Sequence, residues 1–160
     1  MAQSKTNAMR MLDKAQIPYA IMTYDNEDGK IHGSAVAEKI GKPKEIVFKT
    51  LVAHQAANLF IYVIPVEEEL DLKVAAQAAG VKKIEMLPVK DLQKWTGYIR
   101  GGCSPIGMKK LYPTYMDSSA QDLQKMIVSA GKIGLQLELE PKQLAEQLSA
   151  VFIPLVKENY

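Results

Sequence analysis

A lysine sits in the middle of the most strand-like run of this chain, Ile46-Val47-Phe48-Lys49-Thr50-Leu51-Val52. A continuous apolar run rich in β-branched residues reads as a strand buried on both faces. A charged amine there is costly unless something pairs it or the site opens into a cavity. Side chains alternate along a strand, so Lys49 shares a face with Val47 and Leu51. Two readings follow. Lys49 lines a pocket, where it binds an anion or stabilises developing negative charge, or it is a strand-end lysine whose amine snorkels to water.

The second stretch with chemical potential is Gly101-Gly102-Cys103-Ser104-Pro105-Ile106-Gly107. Its glycines let the backbone approach a ligand closely and point successive N–H groups into one concavity, a nest for an anion or oxyanion. The competing reading is a tight structural turn. The loop is not a P-loop, because no Gly-Lys-Ser/Thr triplet ends it. Its glycine spacing is also wrong for a dinucleotide fingerprint, and a strand rather than a helix is expected after it. Cys103 would need a base or a lowered pKa to act as a nucleophile, and no signature links it to His32 or His54. His32, before Gly33 and a helix, reads as a surface or capping residue, and His54 ends a strand. Two histidines without an acidic helix motif do not point to a metal site. Glu67-Glu68-Glu69 reads as a solvated acidic run. Lys82-Lys83 and Lys109-Lys110 are basic pairs near loops, solvated unless they face phosphates.

These residues need a scaffold. Residues 4–15 have helix character, with Ser4 or Thr6 as the cap and Ile17-Pro18 as the stop. Residues 19–24 read as a strand and 25–29 as a polar turn. Ser34 caps a helix over 35–40 that Gly41 closes. The Lys49 strand and a second buried strand at 59–64 lie too close in sequence for a parallel crossover, which predicts antiparallel neighbours. Asp71 caps a helix over 72–79, and Gly80 stops it. A strand at 83–87, a helix at 89–95, and strands at 111–116, 125–129 and 134–140 follow. Pro141 opens a final helix with Leu144 and Leu148 on one face. About seven strands and four or five helices in mixed order predict an α/β chain of α+β character, with a mixed or antiparallel sheet and helices packed around it.

With 160 residues, 48% hydrophobic and 24% charged, the chain has ordinary globular composition and reads as a single domain over 1–160. A net charge of +2 permits contact with a polyanion without demanding it. The single cysteine excludes an internal disulfide framework and fits a reducing, cytoplasmic compartment. Neither a secretory leader nor an apolar run long enough to span a bilayer is visible, so no membrane association is expected.

The motifs Thr23-Tyr24-Asp25, Phe48-Lys49-Thr50-Leu51, Gly80-Val81-Lys82-Lys83, Thr96-Gly97-Tyr98, the Gly-Gly-x-Ser-Pro-x-Gly loop and Ser129-x-Gly131-Lys132-x-Gly134 resemble, in order and spacing, those of the YbaK/EbsC family. That family is similar to the editing domain of bacterial prolyl-tRNA synthetase. The resemblance implies a mostly antiparallel sheet curved toward a barrel. It also implies trans-editing hydrolysis of mischarged Cys-tRNA(Pro) beside prolyl-tRNA synthetase, with no cofactor or metal. By the same resemblance, the substrate's own thiol is expected to attack its carbonyl. By resemblance Lys49 orients the substrate's 3′ end, and Gly101 and Gly102 hold the aminoacyl end with backbone N–H groups. Ser104, Pro105 and Gly107 shape the loop, and Tyr24, Thr50 and Ser129 line the pocket. His32 stands where the family carries phenylalanine in the pocket wall, a departure that bears on selectivity. Alternatives are a binding module for a nucleotide or aminoacyl-adenosine without turnover, or a deacylase of other selectivity such as Ala-tRNA(Pro). The oligomeric state is left between a monomer and a weak dimer.

Overall fold

A computed structural model describes residues 5–158. Five α-helices and eight strands run in the order α1 (Asn7–Lys14), β1 (Ala20–Thr23), α2 (Gly33–Ile40), β2 (Phe48–Gln55), β3 (Asn58–Pro65), α3 (Leu72–Ala79), β4 (Glu85–Met86), α4 (Val89–Thr96), β5 (Thr114–Asp117), β6 (Met126–Ser129), β7 (Leu135–Leu139), α5 (Pro141–Leu148) and β8 (Val151–Ile153). Local chemistry sets the ends. The Thr6 side chain accepts from Met9 N at 3.2 Å, Asp71 accepts from the N–H groups of Lys73 and Val74, and Gly41 and Gly80 close α2 and α3 in the left-handed conformation. Ser4, the other expected cap of α1, lies outside the described residues.

Two sheets form rather than one. The order β1-β7-β6 makes a three-stranded antiparallel sheet, and β4-β2-β3-β5-β8 makes a five-stranded one. The expected single curved sheet of about seven strands approaching a barrel is therefore corrected. β2 and β3 are antiparallel as expected, with Lys49 opposite Ile64, but β5 joins β3 in parallel and β8 joins β5 in parallel. The reason is in the use of β2. One edge pairs with β3 along its whole length. On the other edge β4 covers only Ala53 and His54, and Val47, just before the strand, bridges Ile127 of β6. Among the described residues no strand pairs with residues 49–51 on that edge, so backbone pairing joins the two sheets at the Val47–Ile127 bridge and leaves them open beside Lys49.

Four apolar clusters hold this arrangement. The largest packs Met9 and Leu12 of α1 and Leu144 and Leu148 of α5 against Phe48, Val63, Val128 and Leu137. A second sets Ala75 and Ala76 of α3 on the opposite face of the larger sheet. The third joins Ala37 of α2 to Val47, Val66 and Ile127, where the two sheets meet. The fourth packs Leu92 and Trp95 of α4 with Cys103 against Val52, Leu59 and Ile61.

The α2 contact is tight enough to test. A Cβ on Gly33 would lie 2.4 Å from Val66 Cβ, which sits on a short β-branched side chain that cannot swing away. Gly33→Ala is expected to lower unfolding free energy by about 1–3 kcal/mol, seen as a lower urea midpoint at unchanged slope. An unchanged midpoint would show that α2 rides loosely on this seam.

Candidate active site

The open edge of β2 faces a cavity of about 110 Å³, lined by residues from seven segments. β2 and its approach contribute Val47 to Thr50. Tyr24 follows β1, Ile31, Gly33 and Val36 come from the start of α2, and Val66 follows β3. Ser129 ends β6, Gln136 lies on β7, and Gly101 and Cys103 come from the glycine loop. Lys49 is half-buried there. Among the described residues it makes no ion pair, and it is the one charged side chain in the lining. Burial pushes its pKa below the usual 10.5, while the more distant Glu69 and Glu68 pull it back up. A half-buried ammonium facing a cavity is poised for an anion or for charge that develops in a reaction.

Two hydroxyls share this unfinished state. Tyr24 OH and Thr50 Oγ1 are buried without a hydrogen-bond partner among the described residues, and both residues line the cavity. An unsatisfied buried polar group costs about 1–3 kcal/mol, so such groups are rare unless a ligand completes them. Tyr24 is backed by Lys39 of α2, whose ammonium lies 5.9 Å from the ring centroid. The same ammonium donates to Asp25 O at 2.6 Å, to Asp28 Oδ1 at 2.7 Å and to Lys30 O at 3.0 Å. Lys39 thus holds the polar turn that carries the cavity wall from Tyr24 to Ile31.

The glycine loop reaches the cavity through close approaches that side chains would forbid. A Cβ on Gly101, which has φ +86°, would fall 2.7 Å from Ile31 Cδ1. One on Gly102 would fall 3.0 Å from Ile133 N, so the loop lies directly on the β6–β7 turn. Gly102 N donates to Ile99 O at 3.0 Å, which spends that donor inside the loop. Gly101 N and Cys103 N find no backbone acceptor among the described residues, so the spare donors flank Gly102. Behind the loop stands Tyr98, buried, its hydroxyl donating to Ile106 O at 2.6 Å. Gly107 and Gly131 leave room for its ring.

Of the residues singled out in the sequence, Lys49, Thr50, Tyr24, Gly101 and Ser129 come together in the lining. Gly102, Ser104, Pro105 and Gly107 stand behind it: Ser104 Oγ accepts from Ile106 N at 3.2 Å, and Gly107 O accepts from Asn7 Nδ2 at 2.8 Å. His32 is exposed and outside the lining, and its Nδ1 caps α2 by accepting from Ala35 N at 3.4 Å. The wall on either side of it is Ile31 and Gly33. His54 lies at the far end of β2, its Nδ1 3.0 Å from Ala56 O. Burial pushes the Cys103 thiol up to about 12, so it is protonated at neutral pH and does not act as a thiolate. Among the described residues no group of three or more His, Cys, Asp or Glu is placed to hold a metal. Sequence reasoning missed Gln136, a buried polar residue opposite both Ser129 and Met22. Alternation with Leu135, Leu137 and Leu139 made it look solvent-facing.

Residues 32–146 match the aminoacyl-tRNA editing domain family. A protein of Enterococcus faecalis, EbsC, assigned as a Cys-tRNA(Pro)/Cys-tRNA(Cys) deacylase, is 47% identical over 151 residues, covering 94% of this chain and 92% of its own. The uncharacterised YwhH of Bacillus subtilis is 28% identical over 124 residues, 76% of this chain and 78% of its own. Among solved structures, one assigned as a trans-editing enzyme for prolyl tRNA synthetase superposes with a TM-score of 0.82 at 17% identity, covering 98% of this chain and all (100%) of its own. A hypothetical protein superposes with a TM-score of 0.86 at 19% identity, covering 95% and 100%. At these identities the structural likeness speaks for the fold.

Lys49 carries a stability signature. Its folded pKa lies below 10.5, so folding is opposed while the buried amine is charged. Above the folded pKa the native amine is neutral while the unfolded one still binds a proton, so stability rises with pH there. Lys49→Met is therefore expected to melt at or above the parent temperature at pH 7. The parent should close the gap as pH climbs toward 10.5. A variant clearly less stable at pH 7 would mean that Lys49 is a structural cation.

Proposed function

Because the chain belongs to the aminoacyl-tRNA editing domain family, we propose that it is an aminoacyl-tRNA deacylase that removes cysteine from mischarged tRNA(Pro). It acts as a single domain in the cytoplasm, in trans beside prolyl-tRNA synthetase. Cysteine and proline are close in size, and apolar pockets discriminate poorly at that scale, which is why such an error needs correction. No helix among the described residues is long and apolar enough to cross a membrane.

The observation that carries the mechanism is a cavity with one cation, spare hydroxyls and N–H donors, and neither a histidine nor a carboxylate in its lining. Such a site positions and stabilises without supplying a nucleophile or a base. The nucleophile is then the substrate thiol. A bond forms from its sulfur to the ester carbonyl carbon, the ester C–O bond breaks, and the ribose oxygen keeps the electron pair and takes up the thiol's proton. The resulting thiolactone is hydrolysed by water. In this scheme the Gly101 and Cys103 N–H groups face the oxyanion, Lys49 stabilises charge at the ribose oxygen, and Tyr24, Thr50, Ser129 and Gln136 orient the aminoacyl group. The feature that most favoured a binding module without turnover, His32 in the pocket wall, lies outside the lining.

Purified protein is expected to hydrolyse Cys-tRNA(Pro) and to leave Ala-tRNA(Pro) and Pro-tRNA(Pro) intact, since only the first carries the attacking thiol. Equal rates on the alanyl ester would reject thiol assistance, and inactivity on all three, with and without synthetase, would reject the deacylase reading. Lys49→Ala should lose about 100-fold or more in kcat/KM, in line with removing a dominant electrostatic group. Cys103→Ala should stay within about threefold of the parent, because a protonated buried thiol supplies no chemistry; a loss as large as that of Lys49→Ala would overturn its exclusion.

A further inference from the structure

The mouth of the cavity is electrically two-sided. On the α2 side the turn carries Asp25, Glu27 and Asp28 against Lys30, with Lys39 bound to Asp28. On the glycine-loop side the chain runs from residue 92 to residue 116 with Lys94, Arg100, Lys109 and Lys110 and no carboxylate. The β6–β7 turn adds Lys132, again without an acid between residues 123 and 137.

The fold lays these cations out from the mouth. Arg100 precedes Gly101, a lining residue, and is exposed. A Cβ on Gly102 would lie 3.3 Å from Lys132 Cα, so Lys132 borders the same loop. Further out, the Lys109 side chain passes Gly97, where a Cβ would meet its Cγ at 3.6 Å, and its ammonium donates to Lys94 O at 2.9 Å. Lys94 in turn holds its ammonium 5.6 Å from the Trp95 ring centroid. Lys109 thus has a structural duty at the C-terminus of α4. The side chains of Arg100 and Lys132 make no hydrogen bond or ion pair among the described residues. Beside Arg100 the side chain of Ile99 is 49% exposed, an apolar surface at the edge of a cationic one.

We propose that Arg100 and Lys132, continued by Lys94 and Lys109, form the docking strip for the phosphates of the single-stranded 3′ end of the RNA, with Ile99 as the platform for a base. Cations that track a backbone beside an apolar surface for a base are the recurring means of holding a single strand. The acidic turn, which leads to Ile31 against Gly101, repels phosphates and so sets the side from which the strand enters. Lys82-Lys83 is not part of the strip. It precedes β4, which pairs with β2 at Ala53 and His54, about 15 Å along the strand from Lys49.

This inference rests on the deacylase reading, and its test separates the two. A fluorescent single-stranded RNA ending in CCA is titrated with protein between about 50 and 200 mM salt. The double variant Arg100→Gln, Lys132→Gln changes two exposed side chains outside the cavity. It is expected to weaken binding about tenfold and to flatten the slope of log affinity against log salt by about 1.4, two single-strand phosphate contacts' worth. Lys82→Gln, Lys83→Gln removes the same charge elsewhere and should leave both values unchanged. In turnover, the Arg100/Lys132 variant should lose about tenfold in kcat/KM on Cys-tRNA(Pro) and keep the parent rate on cysteinyl-adenosine, which has no phosphate. Equal losses from the two double variants, an unchanged salt slope, or equal losses on both esters would each overturn the strip. A parent protein that cleaves neither ester would count against the deacylase reading alone, since RNA binding is measured without turnover.

Discussion

Everything at this site depends on how the backbone hydrogen bonds of β2 are shared out. A strand paired on both edges leaves no room beside it, and a free edge invites another chain. β2 does neither: β3 takes one edge, β4 takes the far end of the other, and β6 reaches only Val47. The uncovered stretch holds Lys49 and Thr50. Around it the protein places side chains and a glycine loop instead of a strand, which turns an unpaired edge into a walled cavity. The mixed sheet topology serves this, since a closed barrel would have covered the edge.

The walls are held more firmly than the contents. Tyr98 sits behind the loop, wedged between Gly107 and Gly131 and bonded to Ile106 O, and Gly102 rests on the backbone of Lys132 and Ile133. Facing inward, by contrast, are a desolvated ammonium and two hydroxyls without partners among the described residues. Burying such groups unpaired costs stability, and a bound group that completes them recovers that cost. Rigid support around an unsatisfied interior is what a site of electrostatic preorganisation requires, because polar groups that found partners in the free protein would have to break them to act.

Much of this was legible in the sequence, for physical reasons that also mark where legibility stops. Lys49 stood out because a charge in a buried strand violates the pattern, and Gly101 because clustered glycines signal close approach; the structure brings both to one cavity. The helix caps at Thr6 and Asp71 and the β2–β3 pairing follow from local chemistry and loop length. The partition into two sheets does not, because a strand's pattern records which faces are buried and not which edges are paired. β8 was missed as three residues with no turn signal of their own. Gln136 was missed because alternation assigns a polar residue to the solvent face unless a second sheet covers it. Ser104, Pro105 and Gly107 read as residues that shape the loop, and Ser104 Oγ and Gly107 O accept hydrogen bonds that hold it, while Gly102 spends its N–H on Ile99 O.

On the proposed reading, Cys103 has a consequence for the compatibility of this protein with a cysteinyl substrate. An enzyme that receives a free cysteine side chain beside a cysteine of its own risks capture: a single oxidising encounter would join the two sulfurs and block the site. Exchange and oxidation both proceed through the thiolate. By keeping the Cys103 proton on up to about pH 12, burial in the cluster of Val52, Leu59 and Ile61 withholds that species. The wall can therefore meet a thiol with a soft, polarisable surface that matches sulfur in packing and is inert toward it in redox chemistry.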